Sequence, residues 1–142
     1  MQFKKVNKYL LIILVFFIGL FFYALLFPFD CKENATCFNE KASECSRSKF
    51  TLYNEENKFQ YIIIGIDKEN CVIDIKLEKA SSSSSKDIIE NFEGKSMRCS
   101  IPKAQLKISP IQETGNILSY CTGPLKEATL ELMIKKLYGV IA

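Results

Sequence analysis

Residues 58–79, KFQYIIIGIDKENCVIDIKLEK, carry the pattern that decides the fold. Their first half, from Phe59 to Ile66, is apolar on both faces beyond Gln60, which is typical of a central strand of a sheet. The second half alternates, with apolar side chains on one face at Cys71, Ile73, Ile75 and Leu77. The polar side chains between them predict that the other face of this strand is in contact with solvent. A compact polar turn at 67–70 predicts that the two strands are antiparallel.

Two further runs extend this pair. Lys49 to Tyr53 precedes it across another polar turn, and Lys95 to Ile101 follows with alternating side chains until Pro102 ends the run. These runs predict an antiparallel meander of about four strands. Between them, the run Ser81 to Ser85 has the composition of a flexible connection.

Helices are predicted before and after the strands in the sequence. Asn34 to Ser46 has the spacing of a short amphipathic helix, and the last helix starts near Pro124 and ends at Gly139. Its apolar stripe consists of Leu130, Met133, Ile134, Leu137, Tyr138 and Ile141. A small sheet with one dry face needs a cover, so we expect this stripe to pack on the sheet. The predicted fold class is α+β.

The N-terminal stretch from Leu10 to Phe27 is an uncharged apolar run that follows Lys4, Lys5 and Lys8. It predicts a signal-anchor transmembrane helix, with residues 1–9 as a cytoplasmic stub and residues 30–142 as an extracytoplasmic domain. The predicted localisation is therefore the cell membrane, single-pass, with the C-terminal domain outside. A cleaved signal peptide is one alternative, and a lipoprotein acylated at the first cysteine is another.

The cysteines are six in number and all lie on the predicted outer side, namely Cys31, Cys37, Cys45, Cys71, Cys99 and Cys121. An even set in an oxidising compartment predicts three disulfide bonds. Two cysteines of the first helix, 37 and 45, lie about 12 Å apart along its axis and cannot bond to each other. We expect Cys71 to pair with Cys99, and bridges from the first three cysteines towards Cys121 remain open. Free or metal-binding thiols are the alternative.

Charge and composition exclude several functions. The acidic residues, 16 in all, lie after Phe29 and equal the basic residues there, so the outer part is formally neutral and a nucleic-acid partner is disfavoured. The chain has no histidine and no C-x-x-C pair, which removes the usual zinc and thioredoxin-like sites. The carboxylates of Asp67, Glu69, Asp74 and Glu78 lie on a turn and a solvated strand face. We therefore predict no enzyme, no cofactor and no metal. Asn34 begins a glycosylation triplet, Asn-Ala-Thr.

A family resemblance rests on the cysteines and glycines. It covers most of residues 30 to 123 and is carried by Asp30-Cys31, Cys37-Phe38, Cys45, Gly65 with Cys71, and Gly94 to Met97 with Cys99. This series resembles small membrane-anchored, cysteine-containing ectodomain proteins of small-genome archaea. The chain departs from that pattern at Arg47-Ser48, where a proline is expected. The resemblance implies a fold and a location, and it implies no mechanism.

The function predicted from the sequence is that of a single-pass, membrane-anchored binding or structural domain of the cell envelope. Its predicted partners are the lipid bilayer through residues 10–27 and an unidentified protein or glycan on the outer face. The alternatives are a thiol-dependent redox or metal-handling protein at the membrane, and a pilin-like assembly subunit.

Overall fold

The computed structural model describes residues 8–111 and 117–139, with side chains at 9–23, 27–111 and 117–139. Five helices lie in this part of the chain: α1 (Lys8–Leu26), α2 (Ala35–Glu44), α3 (Lys86–Phe92), α4 (Lys103–Ile108) and α5 (Pro124–Leu137). The six strands are β1 (Phe29–Asp30), β2 (Ser48–Asn54), β3 (Asn57–Asp67), β4 (Asn70–Lys79), β5 (Ser96–Pro102) and β6 (Cys121–Thr122). A 3-10 turn at Ile117–Tyr120 leads into β6.

The strands form one mixed sheet in the order β1-β2-β3-β4-β5-β6. All neighbours are antiparallel except β1, which is parallel to β2. The predicted four-stranded antiparallel meander is therefore wrong, although its four runs form β2 to β5. The two added strands have only two residues each, too few for any alternation to be visible in the sequence. The first is held by backbone hydrogen bonds, such as the one that the Cys31 N–H donates to the Lys49 carbonyl at 2.9 Å.

The core lies on one face of the sheet, beneath α2 and α4. The alternating apolar residues predicted for β4 are all buried on this face. Phe38 of α2 stacks on Phe50 of β2, with ring centroids 5.1 Å apart, and Tyr61 of β3 lies at 6.0 Å from Phe38. Burial in this cluster raises the pKa of Tyr61. The aromatic cluster thus joins helix α2 to the centre of the sheet.

The serine run, predicted as a flexible connection, is tied to the sheet at its first two residues. Ser81 is buried and its hydroxyl donates to Oε2 of Glu56 at 3.0 Å, while its backbone N–H donates to Oδ1 of Asn57 at 2.8 Å. Ser82 donates to the same Glu56 oxygen at 3.1 Å. These bonds tie the serine run to the turn between β2 and β3, a contact that no local sequence signal reports.

Helix α5 does not cover the sheet with its apolar stripe, so this part of the predicted fold is wrong. Its buried side chains are Leu125 and Ala128 in the first turns. The predicted stripe is exposed instead, with Leu130 at 40%, Met133 at 46%, Ile134 at 53% and Leu137 at 84%. Residue 141 lies outside the described residues.

The start of α5 lies against β5. Gly123 precedes the helix with φ +122° and lies so close to β5 that a Cβ there would stand 3.0 Å from the Ser96 carbonyl oxygen. Both the positive φ and the close approach favour glycine at this position. The helix then continues past the sheet with its apolar stripe turned away from the core.

The transmembrane helix predicted at residues 10–27 is wrong. Helix α1 occupies this stretch, but within the described part of the chain no helix is both long and apolar enough to span a bilayer. The predicted localisation, a single-pass protein of the cell membrane with its C-terminal domain outside, depended on this helix and is therefore also wrong. Lys4 and Lys5 of the predicted stub lie outside the described residues.

Candidate binding face

The face of the sheet opposite the core carries no buried residue. We call it the open face and define it by the outward side chains of β2 to β5. Strand register and alternating burial place the following residues on it: Lys49, Thr51, Tyr53, Lys58, Gln60, Ile62, Val72, Asp74, Lys76, Glu78, Ser96, Arg98 and Ser100. It is the solvated face that the alternation of β4 predicts, widened by three neighbouring strands.

The open face is organised in rows that cross the strands. One row places Lys49 opposite Ile62, Ile62 opposite Asp74, and Asp74 opposite Arg98. The next row places Thr51 opposite Gln60, Gln60 opposite Lys76, and Lys76 opposite Ser96. Each row therefore contains at least one charged side chain, and β4 carries charges through the middle of the face.

Arg98 and Asp74 form a bidentate ion pair across β4 and β5. The Arg98 Nε donates to Oδ1 of Asp74 at 2.7 Å, and Nη2 donates to Oδ2 at 2.9 Å. Hydrogen bonding to this carboxylate, together with its charge, raises the pKa of Arg98. A fork of this kind holds both side chains in one geometry.

Glu78 accepts two hydrogen bonds from β3. Lys58 Nζ lies 2.7 Å from Oε2, and Gln60 Nε2 donates to Oε1 at 2.6 Å. The hydrogen bond from Lys58 lowers the pKa of Glu78, and the charges of Lys58, Lys49 and Lys76 lower it further. The same hydrogen bond raises the pKa of Lys58. Three lysines therefore act on one carboxylate.

The open face has more positive than negative charge. Its cations are Lys49, Lys58, Lys76 and Arg98, and its carboxylates are Asp74 and Glu78. Each carboxylate forms a direct ion pair with one cation, Arg98 or Lys58. Among the residues that the structure describes, Lys49 and Lys76 form no direct ion pair and act on Glu78 only at longer range. They are the surplus charges of the face.

Three disulfide bonds hold the sheet and its helices together, so the prediction of disulfide bonding is confirmed. They join Cys31 to Cys37, Cys45 to Cys71, and Cys99 to Cys121. As expected, the two cysteines of α2 do not bond to each other. All six cysteines are paired.

The pairing expected first, Cys71 with Cys99, is wrong. Cys71 lies opposite Ile101 and Cys99 lies opposite Ile73, so the two cysteines occupy neighbouring rows of the ladder. Cys99 instead lies directly opposite Cys121 of β6, and Cys71 bonds to the end of α2. Bridges from the first three cysteines to Cys121 are excluded by the same pairing.

The other predicted site residues do not converge. Asn34 caps α2, with its Oδ1 accepting a hydrogen bond from the Cys37 N–H at 3.0 Å, and its side chain is exposed. Its glycosylation stays a prediction. Asp67 and Glu69 lie exposed at the β3–β4 turn, while Asp74 and Glu78 belong to the open face. Across residues 8–111 and 117–139, no three histidine, cysteine, aspartate or glutamate side chains are arranged to hold a metal ion.

A cleft lies between α3 and α5. This cleft has a volume of about 550 Å³ and combines apolar side chains, such as Phe92 and Leu132, with charged ones at its rim. An ion pair between Glu131 and Lys135, one helical turn apart, lies there with Nζ 2.6 Å from Oε1, and the hydrogen bond from Lys135 lowers the pKa of Glu131. The rim charges include both signs, so the cleft has no marked preference for one charge.

Comparisons with family models, with curated proteins and with solved structures found no match to this chain. The candidate site therefore rests on geometry and charge alone. Sequence reasoning identified the solvated side of β4. It missed the surplus of lysines, because that surplus is visible only after the register of four strands is known.

Proposed function

We propose that this protein is a non-catalytic binding module of an oxidising compartment, and that the open face binds a protein or a glycan. The observation that carries the proposal is the surplus of two lysines on the solvent-facing side of the sheet. Three disulfides support an oxidising environment, because such bonds persist where thiols are not kept reduced.

Rigidity also supports a binding role. The face is built on strands, which hold side chains more precisely than loops do. Two of its ion pairs span neighbouring strands, and the disulfides fix β4 to α2 and β5 to β6. A partner would therefore meet a surface that is already ordered and would cost little conformational entropy to engage.

A thiol-dependent activity is less well supported. The nucleophile or metal ligand in such chemistry is a thiolate, and every cysteine here is bonded to another. That alternative would require one bridge to be reduced first. The bridge with the shortest loop, Cys31 to Cys37, spans six positions and lies beside β1.

The test is retention of material from an extract of the source organism by the immobilised chain. The variant Lys76→Glu reverses a surplus charge on the open face without removing any direct ion pair of the described residues. Lys107→Glu in α4 makes the same charge change on an exposed residue away from the face. Retention should fall at least fivefold for Lys76→Glu and stay near the wild-type level for the control.

Equal retention by both variants would contradict the proposal. Circular dichroism of each variant must match that of the wild type, so that any loss reflects the surface and not the fold. Loss with Lys107→Glu alone would place the binding surface on the helical side.

A further inference from the structure

We propose that the partner of the open face is an acidic glycan, a polysaccharide that carries carboxylate or sulfate groups. This inference rests on the proposed function and names the class of ligand for the same surface. Its basis is charge complementarity, the kind of side chain that surrounds the surplus charges, and the distribution of charge across the face.

The surplus cations are spaced for an extended polyanion. Lys49 lies on β2 and Lys76 on β4 in the next row, so their backbones are separated by about 10 Å across the sheet and about 7 Å along the strands, roughly 12 Å in all. Lys76 is exposed and Lys49 is partly exposed. Glu78, on which the charges of both lysines act, already accepts hydrogen bonds from Lys58 and Gln60. Anionic groups of a ligand would neutralise the charges of these two lysines.

The remaining side chains suit sugars. Thr51 and Ser96 share a row with Lys76 and bring hydroxyl groups to the face, and Gln60 of the same row brings an amide whose Nε2 already donates to Glu78. Tyr53, which is 55% exposed, lies opposite Lys58 at the corner of the face. Its ring offers an apolar surface next to a polar handle, and the apolar side of a sugar ring can pack on it.

Two other classes of partner fit less well. Protein interfaces have an apolar centre from which charged residues are depleted, whereas the middle strand here carries Asp74, Lys76 and Glu78. Nucleic acids are bound by surfaces that neutralise many phosphates, and this face has only two surplus cations on a formally neutral domain. An acidic glycan with spaced charges matches both the low charge density and the hydroxyl-rich rows.

The experiment titrates the full chain with five defined polymers by isothermal calorimetry at low and moderate salt. The probes are alginate as a carboxylated glycan, heparin as a sulfated glycan, dextran as a neutral glycan, poly-glutamate as an acidic polypeptide, and a thymidine oligonucleotide. We expect at least one acidic glycan to bind, with affinity that falls as salt rises. Dextran should not bind, and poly-glutamate and the oligonucleotide should bind at least tenfold more weakly.

Matched variants locate the site. Lys49→Gln with Lys76→Gln should weaken glycan binding at least tenfold and flatten its dependence on salt. The control, Lys107→Gln with Lys136→Gln, removes the same charge from exposed residues on helices and should change affinity less than twofold. Equal losses for both pairs would overturn the inference, because the attraction would then come from net charge alone.

The remaining outcomes separate this inference from the proposed function. Tighter binding of poly-glutamate or of the oligonucleotide than of either acidic glycan would overturn the glycan assignment and leave the open face as the binding surface. If neither acidic glycan binds while Lys76→Glu still reduces the retention of extract material, the glycan assignment is likewise overturned and the open face remains the binding surface. If Lys76→Glu keeps that retention, the proposed function fails together with the inference.

Discussion

Glu55 and Glu56 show how single residues are held in unfavourable backbone conformations. They form the two-residue turn between β2 and β3, closed by Asn54 opposite Asn57, and their φ values are +47° and +67°. Side chains with a Cβ rarely adopt this region, and turns of this type favour asparagine followed by glycine. Glu56 is compensated by the hydroxyls of Ser81 and Ser82, whereas no comparable side-chain bond involves Glu55 among the described residues.

Glu55→Asn should therefore stabilise the protein. Asparagine tolerates the left-handed region better, so we expect the free energy of unfolding in urea to rise by about 0.5–1 kcal/mol. Glu56→Gly relieves the same kind of conformation but removes the acceptor of two serine hydroxyls, so its gain should be smaller or negative. A loss of stability in Glu55→Asn, or a larger gain in Glu56→Gly, would contradict this reading of the turn.

At the scale of single residues, the sequence predicts which residues form disulfides better than it predicts how they pair. Six cysteines without histidine predict disulfides, and three bonds are present. The pairing depends on register, because a shift of two positions along β4 would have placed Cys71 opposite Cys99. It also depends on β6, which is too short to be predicted. To predict the bond from Cys45 to Cys71, one would need to know where α2 lies over the sheet, and no local sequence pattern specifies this.

Among the elements, the long strands are the most predictable. Strands β3 and β4 bury alternate side chains in the way their sequences predict, since a period of two is strict in an extended chain. Helix α5 is the counterexample. A stripe at helical spacing predicts an apolar face but not what that face contacts, and here the stripe lies exposed while Leu125 and Ala128 meet the core.

Substitutions in α5 should affect stability on its buried side and have little effect on its exposed side. Leu125→Ala removes a buried side chain and should lower the free energy of unfolding by about 2–4 kcal/mol. Ile134→Ala makes a similar truncation at a position that is 53% exposed, and should change stability by no more than about 0.5 kcal/mol. Chemical denaturation of both variants is the measurement. A cost above 2 kcal/mol for Ile134→Ala would mean that the stripe covers the core after all.

At the scale of the whole molecule, the distribution of charge matters more than its sum. The part of the chain after Phe29 is formally neutral, yet the open face has a net positive charge. Its two carboxylates are each paired with one cation, which leaves the charges of Lys49 and Lys76 in excess. Composition cannot predict this, because the register decides which charges share a face. Helices α2 and α4 lie on the other side of the sheet and leave this face in contact with solvent.

Lysine footprinting tests the central claim, that the open face is the binding surface, most directly. The intact chain is acetylated with and without retained extract material, and the modification of each lysine is measured by mass spectrometry. Lys49, Lys58 and Lys76 should be protected in the complex, while Lys107 and Lys136 on the helices react as in the free protein. Protection of the helical lysines with unchanged reactivity at Lys49 and Lys76 would contradict the claim.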